Sequence, residues 1–420
     1  MHTYCAFVGH QPHVSFAELA ACIPDLTVER WVNKQMLLFA TSKDLTQADL
    51  QAWGGTWLLA KRIESASTLS LTDVPQLLGN ACQSIQGKVT FSIRSIGLTL
   101  RAHHDLYRTC KEELRRRGQP SRYIGTERRP TATILLHQDG IVDSTHGCEL
   151  VLLQEGEEDE RTLWVGRTVA VQNPESYTER DIGKPARDSR VGMLPPKLAQ
   201  VLLNLGAWLL QEQTKRSGSK ATAAGMPIVV YDPFCGSGVV LMEAMLRGWH
   251  VLGSDASVKA VNATLRNIEW LRKEQKIPKK MVESEVWKHD IIKPFALTEH
   301  TKLRPQCIVT ETMLGPAFTK RPTIKEAQKC RTQCDALQTA FFKNVAAAFP
   351  GAPLALTFPV WFASSGPVFL EKVWAAADAA GLKPALPPGV AFSHPGRVSL
   401  LYSRPDQFVG REIVLFRLKK

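Results

Sequence analysis

The stretch Ile228-Val-Val-Tyr-Asp-Pro-Phe-Cys-Gly-Ser-Gly-Val-Val240 decides the fold of the C-terminal half of the chain. Its first four residues form a short apolar run typical of a buried strand, and Val239 to Arg247 has the pattern of a helix. Gly236 and Gly238 permit a tight turn between the two and let a ligand approach the backbone. A strand, a glycine-containing turn and a helix in this order are the setting in which α/β sheets bind nucleotides.

The alternation of strands and helices continues from this stretch to the C-terminus. Further predicted strands are His250–Ser254, Cys307–Thr310, Leu354–Phe358, Val398–Tyr402 and Glu412–Leu418, and predicted helices are Ala260–Arg272, Lys325–Phe349 and Phe369–Ala380. Strands that alternate with helices imply a parallel sheet, and the closing strand pair predicts that the last strand runs antiparallel. We therefore predict a Rossmann-like α/β domain at residues 191–420.

Acidic residues follow the successive strands of this domain. Asp232 ends the first strand, Asp255 ends the second, and Asp290 falls where a third strand should end. The turn lacks the glycine spacing that binds a pyrophosphate anion, and an acid at its head suits a cation. S-adenosylmethionine, which carries an ammonium and a sulfonium group, fits such a site. Each acid alone is a common helix cap, but three at successive strand ends favour a cofactor site.

The predicted cofactor site therefore assigns one role to each acid. Asp232 faces the cation, Asp255 accepts the ribose hydroxyls, and Asp290 accepts the adenine amino group. Phe234, Gly236 and Gly238 of the glycine turn complete the site. No metal site is expected, because the nine cysteines are scattered without a Cys-x-x-Cys pair and are best explained as free thiols in a reducing compartment.

The N-terminal half shows a different alternation. The first 65 residues follow the order β-α-β-α-β of a ferredoxin-like unit with one strand not placed. Residues 66–171 contain a predicted helix, Asp105–Arg117, whose apolar stripe is opposed by basic residues, and predicted strands at Val89–Ile93, Thr131–Leu136, Glu149–Gln154 and Arg161–Val171. Residues 172–190 form a polar linker to the C-terminal domain.

The charge of the chain favours a polyanionic partner. The formal net charge is +12, and eleven Lys or Arg residues between positions 88 and 129 face only four acidic residues. A clustered basic face is typical of phosphate binding, although a solvated helix face is the plain alternative. Arg115, Arg116, Arg117 and Arg122 are the candidate nucleic-acid contacts.

Other classes of protein fit the sequence less well. The longest apolar stretch, Leu198–Leu210, is interrupted by Gln200 and Asn204, and it is shorter than the roughly 20 residues that span a bilayer. The first residues have neither a basic segment nor a long apolar one, so no signal peptide is expected. These features predict a cytoplasmic protein with no membrane partner.

The residues described so far resemble a known family. The loop Asp232–Gly238 is similar to the cofactor loop of THUMP-domain RNA methyltransferases, above all the tRNA guanine-N2 methyltransferases that act on the tenth nucleotide. Gly192–Ala199 is similar to the segment before that family's catalytic domain, and Asn267–Trp270 to its second helix. The resemblance implies a class I methyltransferase domain with a seven-stranded mixed sheet, after a ferredoxin-like unit (1–65) and a THUMP RNA-binding domain (66–171).

One departure from this family concerns the loop after the fourth strand. The family usually has Asp/Asn-Pro-Pro-Tyr there, whereas this chain has Thr310-Glu-Thr-Met-Leu-Gly-Pro316. Glu311 can replace the acid, but the nearest ring, Phe318, lies too far along the chain to be taken as equivalent. We predict Glu311, with Thr310 and Thr312, as the catalytic residues. Lys320 and Arg321 are predicted to contact the nucleic-acid backbone near the target base.

The resemblance implies methylation of the exocyclic N2 amine of a guanosine in tRNA. Such an amine is a poor nucleophile, so the enzyme must position it, and Glu311 would orient it and stabilise the positive charge that develops on nitrogen. Methylation of a pyrimidine carbon needs a cysteine nucleophile. Cys307 precedes the relevant strand end, and Cys235 lies inside the cofactor turn, so we discount that chemistry.

Two alternatives stay open from the sequence. The first is amine methylation of ribosomal RNA or DNA, and the second is a non-catalytic RNA-binding protein that keeps the fold. The altered loop at Thr310–Pro316 favours the second alternative, and the intact acids favour an enzyme. The sequence determines neither the oligomeric state nor a need for a helper subunit.

Overall fold

The chain folds into two compact units in a computed structural model. The structure describes residues 1–63, 69–126, 130–142, 145–156, 162–187, 193–217, 227–295, 300–316, 318–405 and 407–419. The N-terminal unit consists of residues 1–12, 23–52 and 56–177, and the C-terminal unit of residues 13–22, 53–55 and 178–420. The boundaries predicted at residues 65, 171 and 190 stay predictions. Residues 188–192, where the linker meets the predicted C-terminal domain, lie outside the described residues.

Eight strands lie in the described part of the first 183 residues. In chain order the elements are β1 (His2–Val8), α1 (Pro12–Cys22), β2 (Thr27–Asn33), β3 (Met36–Thr41), α2 (Gln47–Gln51), β4 (Thr56–Arg62), α3 (Val74–Cys82), β5 (Val89–Ile96), α4 (Leu100–Arg116), β6 (Ser121–Tyr123), α5 (Thr133–Gln138), β7 (Gly147–Glu155), β8 (Thr162–Val171), α6 (Pro174–Thr178) and a π-helical turn (Glu179–Gly183).

The strands of the N-terminal unit form one sheet in the order β2-β3-β1-β4-β8-β7-β5-β6. Most neighbours are antiparallel, but β5 is parallel to both β6 and β7. Helix α4 packs Leu106, Cys110 and Leu114 into the core of this unit, as its predicted apolar stripe requires. The opposite face of α4 carries the exposed basic residues.

Two differences from the prediction concern this unit. The strand that was not placed is β2, an edge strand that pairs with β3 and has mostly exposed residues. The strand predicted at Thr131–Leu136 is wrong, because Thr133–Gln138 forms helix α5. A short apolar run has no period that separates a strand from a buried helical turn. Here the N–H groups of Leu135 and Leu136 both donate to the carbonyl of Ala132, which starts the helix.

The remaining described elements belong to the C-terminal unit, which also includes most of α1 and the π-helical turn. They are α7 (Pro196–Ser217), β9 (Val229–Asp232), α8 (Val239–Met245), β10 (His250–Asp255), α9 (Val258–Glu274), β11 (Ser284–Lys288), β12 (Cys307–Glu311), α10 (Ile324–Ala348), β13 (Leu354–Ala363), β14 (Gly366–Val368), α11 (Val373–Ala379), β15 (Leu382–Pro384), β16 (Leu400–Tyr402) and β17 (Val409–Leu418).

The sheet of this unit has the order β11-β10-β9-β12-β13-β17-β15. Strands β9 to β13 are parallel neighbours, and β17 is antiparallel to both β13 and β15. Counted along the chain, the order is third, second, first, fourth, fifth, seventh, sixth. The predicted Rossmann-like, seven-stranded mixed sheet is confirmed, with β14 and β16 added beside β13 and β17.

Two apolar cores cover the two faces of this sheet. One contains α7 and α8 with residues of α1, and the other contains α10 and α11. Because β9, β10 and β12 are parallel, Asp232, Asp255 and Glu311 end their strands at the same edge. No described helix combines the length and the apolar character needed to cross a bilayer.

Candidate functional site

The glycine turn after β9 has a backbone that only glycine adopts easily. Gly236 has φ +53° and Gly238 has φ +82°. A Cβ atom at Gly238 would lie 2.8 Å from Cγ2 of Thr264 on α9, so this position is tightly packed. A Cβ atom at Gly236 would meet nothing closer than the carbonyl oxygen of Phe234 at 3.9 Å. The space over Gly236 is therefore open to a ligand.

Side chains of α9 hold this turn in place. The hydroxyl of Thr264 donates to the carbonyl of Gly236 at 2.9 Å, and Nδ2 of Asn267 donates to the carbonyl of Ser237 at 2.8 Å. Asn267 also exchanges two hydrogen bonds with the backbone of Ala186 in the segment before α7. The turn is therefore fixed before any ligand arrives, which lowers the entropy cost of binding.

Asp232 is the buried acid at the head of the turn. Its side chain accepts hydrogen bonds at Oδ1 from the hydroxyl of Thr310 at 2.5 Å and from the backbone N–H of Phe234 at 3.1 Å. No described residue donates to Oδ2. Burial, together with the smaller effects of the negative charges of Asp255 and Glu311, raises the pKa of Asp232 to about 7 against the two hydrogen bonds, which lower it. No cation among the described residues forms an ion pair with Asp232.

Asp255 and Asp290 follow the next two strands. Asp255 accepts from the N–H of Gly236 at Oδ2 (3.1 Å) and from that of Ser257 at Oδ1 (2.9 Å). Both carboxylate oxygens are thereby oriented, and each keeps a lone pair for a further donor. Asp290 lies two residues after β11, where Oδ1 accepts from the N–H of Ile292 at 3.2 Å. The structure thus brings Asp232 and Asp255 to one turn and places Asp290 after the adjacent strand.

The ring of Phe234 packs edge-on against Phe341 of α10, with 5.7 Å between the ring centroids. Phe234 therefore anchors the turn to the core, and its predicted ligand contact stays a prediction. Cys235 and Cys307 are buried, and burial raises the pKa of the Cys307 thiol to about 12. A thiol held protonated in the core cannot act as a nucleophile at neutral pH.

Glu311 ends β12 beside this turn, with its side chain 13% exposed. Nε of Arg411 donates to Oε1 of Glu311 at 2.5 Å. Burial raises the pKa of Glu311, and the guanidinium of Arg411 opposes that effect. Sequence reasoning missed Arg411, which lies 100 positions away along the chain. Its local signal is a charged pair, Arg411-Glu412, directly before the apolar run Ile413–Phe416 of the same strand.

The two threonines beside Glu311 have different surroundings. Thr310 donates its hydroxyl to Asp232, which links the fourth strand to the cofactor turn. Thr312 donates both its hydroxyl (2.8 Å) and its N–H (3.2 Å) to the carbonyl of Thr357 on β13. These bonds hold the start of the loop against the sheet. A catalytic role for either threonine stays a prediction.

The loop after Glu311 packs against a tryptophan rather than presenting a ring. Gly315 has φ +81°, and a Cβ atom there would lie 3.6 Å from the ring of Trp361, which is fully buried. Phe318 is partly buried against the core that contains α10. Lys320 and Arg321 are exposed and have no ion pair within the described part of the chain.

The basic surface of the N-terminal unit differs from its predicted composition. Arg116 and Arg117 both pair with Glu113, and Arg122 pairs with Asp139. Four exposed cations nearby have no ion pair with any described residue. They are Lys88, just before β5, and Arg108, Lys111 and Arg115 on α4. They line two adjacent grooves of about 520 and 570 Å³. Tyr107 and Tyr123, stacked at 4.7 Å, line the second groove.

Comparison with known proteins gives one short sequence match. A stretch of 78 residues is 36% identical to a tRNA (guanine(10)-N2)-dimethyltransferase from Methanothermobacter thermautotrophicus, and it covers 19% of this chain and 18% of that protein. No protein-family model matches the chain.

Solved structures give distant likenesses. TrmN from Thermus thermophilus is 18% identical over the whole of both chains, with a TM-score of 0.46. A magnesium protoporphyrin IX methyltransferase from Synechocystis, with bound SAM, is 14% identical over 58% of this chain and 94% of that chain, with a TM-score of 0.30. Because both scores lie below 0.5, the fold assignment rests on the strand order of the chain itself.

Proposed function

We propose that this protein is an S-adenosylmethionine-dependent methyltransferase that acts on the exocyclic N2 amine of a guanosine in tRNA. One observation carries the proposal: Asp232, Asp255 and Glu311 end parallel strands at the same edge of the sheet, next to a glycine turn with open space over Gly236. Ligands of open α/β sheets bind outside the carboxyl ends of the strands, where the strand order reverses. Here that point lies between β9 and β12. From β9 the chain adds β10 and β11 on one side, and from β12 it adds β13 on the other side.

The residues present fit a cationic nucleoside cofactor. Oδ2 of Asp232 has no donor among the described residues and can accept from an ammonium group. The open space over Gly236 lets a ligand reach the backbone. Asp255, already oriented by two N–H groups, can accept ribose hydroxyls. When bound, S-adenosylmethionine would supply a methyl group activated by the sulfonium.

Glu311 is the group proposed to receive the target amine. Its side chain lies at the same edge as Asp232, and its charge raises the pKa of Asp232. A carboxylate oxygen of Glu311 can accept a hydrogen bond from the amine and so fix the direction of the nitrogen lone pair. The same charge would stabilise positive charge as it develops on that nitrogen.

The basic surface of the N-terminal unit is the proposed RNA contact. Lys88, Arg108, Lys111 and Arg115 have no protein anion to neutralise among the described residues, so phosphates can do so. Arg116, Arg117 and Arg122 are already paired and would contribute less. Structured RNA is commonly bound through backbone and shape in this way.

The short match to a tRNA (guanine(10)-N2)-dimethyltransferase, together with the resemblance of the Asp232–Gly238 loop, supports tRNA guanosine over other amines. The test is transfer of labelled methyl from S-adenosylmethionine to total tRNA, with Glu311→Gln beside wild type. Glu285→Gln, an exposed acid on β11, is the matched control. We expect label with wild type and the control, and little with Glu311→Gln. Cofactor binding without label in tRNA, and label in ribosomal RNA or DNA instead, would replace the proposed substrate.

A further inference from the structure

Arg411 lies on β17, opposite Pro359 of β13 and Tyr402 of β16. Strand β13 separates β17 from β12 in the sheet. The guanidinium therefore reaches across a whole strand to contact Glu311. A long charged side chain directed across an apolar sheet, and only 4% exposed, needs a reason beyond packing.

The hydrogen bonds of Arg411 are divided between two elements. Nε donates to Oε1 of Glu311 at 2.5 Å, and Nη2 donates to the carbonyl of Met193, before α7, at 3.4 Å. No described residue donates to Oε2 of Glu311. One oxygen of the carboxylate is therefore held, and the other is left for a ligand, in a side chain that is 13% exposed.

The charge balance around Glu311 depends on Arg411. Arg411 from β17 lowers the pKa of Glu311 by its charge and its hydrogen bond, and Glu311 in turn raises the pKa of Asp232 on β9. Burial favours the protonated form of Glu311, whereas Arg411 favours the ionised form. A protonated Glu311 would present a donor or a weaker acceptor to the amine and could not stabilise positive charge.

We infer that Arg411 is a positioning residue of the proposed reaction, because it keeps Glu311 ionised and aims its free oxygen at the target amine. The inference rests on the proposed function. It adds a residue that touches neither cofactor nor base and acts only through Glu311. The guanidinium fork matters as well as its charge, since one head group binds both Glu311 and Met193.

The test compares Arg411→Met and Arg411→Lys with Arg397→Met. Arg397 forms the neighbouring buried ion pair with Glu412 and controls for the loss of a buried arginine at this edge of the sheet. The readouts are the Kd for S-adenosylhomocysteine, and kcat and KM on tRNA across a pH series. We expect Arg411→Met to lower kcat at neutral pH by about a hundredfold, while the Kd changes little, as for removal of one stabilising hydrogen bond in the transition state.

The pH profile distinguishes positioning from a structural role. In Arg411→Met the acidic limb of the profile of kcat against pH should move to higher pH, so that activity recovers only when the pH is high enough to ionise Glu311. Arg411→Lys should keep the limb near that of wild type with a smaller loss of kcat. Arg397→Met should lower stability and leave the limb unchanged. If Arg411→Met shows the wild-type limb, or behaves as Arg397→Met does, the inference is overturned.

A measurement without turnover separates this inference from the proposed function. In a double-mutant cycle of Arg411→Met and Glu311→Gln, urea denaturation should show that Glu311→Gln offsets much of the stability lost with Arg411, because it removes the unpaired buried charge. Additive losses would refute the coupling itself. If the coupling is present but wild type methylates no RNA, the proposed function fails and the positioning role falls with it. If wild type is active and only the limb fails to move, the inference alone fails.

Discussion

Replacing Asp232 by asparagine should stabilise the free protein and weaken cofactor binding. Both hydrogen bonds to Asp232, from Thr310 and from Phe234, arrive at Oδ1. The amide oxygen of asparagine can accept both of them. The substitution therefore removes a buried charge with little change in shape or local hydrogen bonding.

The size of the effect follows from the pKa of Asp232, which burial raises from 3.8 to about 7. The folded protein keeps this proton at pH values where the unfolded chain has lost it. The free energy of unfolding of wild type therefore falls as the pH rises through this range and is constant above it. At about 1.4 kcal/mol per pH unit, the loss reaches up to about 4 kcal/mol. Asparagine has no such loss, so its advantage should appear only toward higher pH.

The assay is urea denaturation of the ligand-free protein near pH 5 and near pH 8, with calorimetric titration of S-adenosylhomocysteine beside it. Asp232→Asn should gain stability relative to wild type mainly at the higher pH. Loss of a charged partner for the ammonium group costs about 1.5–3 kcal/mol, or about 10- to 150-fold in Kd. Equal stability differences at both pH values would show that Asp232 does not hold a proton in the folded protein, and an unchanged Kd would show that its charge does not bind the cofactor.

Two further predictions concern the glycine turn and the basic surface. Gly238→Ala should destabilise the protein by about 1–3 kcal/mol, because the residue has a positive φ and its new Cβ would clash with Thr264. Gly236→Ala should instead weaken the binding of S-adenosylhomocysteine, with a smaller effect on the free energy of unfolding. If Gly236→Ala lowers the melting temperature more than Gly238→Ala does, and weakens binding less in calorimetry, the space over Gly236 is not a ligand site. Alanine at Arg108 and Lys111 should weaken tRNA binding and lower its salt slope by roughly 0.7–0.9 for each phosphate that is no longer neutralised. Arg116→Ala, which removes a cation paired with Glu113, should do less, and an equal loss in filter binding would show that the pairing does not matter.

The parallel sheet of the C-terminal unit could be predicted because its signals are local. Each strand is a short apolar run, and the acids at 232 and 255 directly follow their strands. The edge strand β2 could not be found in this way, because most of its residues are exposed and polar and give no apolar alternation. Helix α5 was assigned as a strand, since its six residues are too few to show a helical period.

The part of the candidate site that lies in one loop could be predicted from the sequence. The contacts between elements that are distant along the chain could not. The bonds from Thr264 and Asn267 to the turn depend on how α9 packs, and the bond from Arg411 to Glu311 depends on the order of β12, β13 and β17. The pairing of Arg116 and Arg117 with Glu113 has a sequence signal, because residues three and four apart on a helix are neighbours. The same signal would have directed attention to Lys111, which has no acidic residue three or four positions away.

The most direct test of the proposed function is mass spectrometry of the nucleosides from an unmodified tRNA transcript after incubation with the protein and isotopically labelled S-adenosylmethionine. We predict labelled N2-methylguanosine with wild type and its loss with Glu311→Gln. Labelled methyl on another nucleoside, or none on any nucleoside while S-adenosylhomocysteine still binds, would rule out the proposed function.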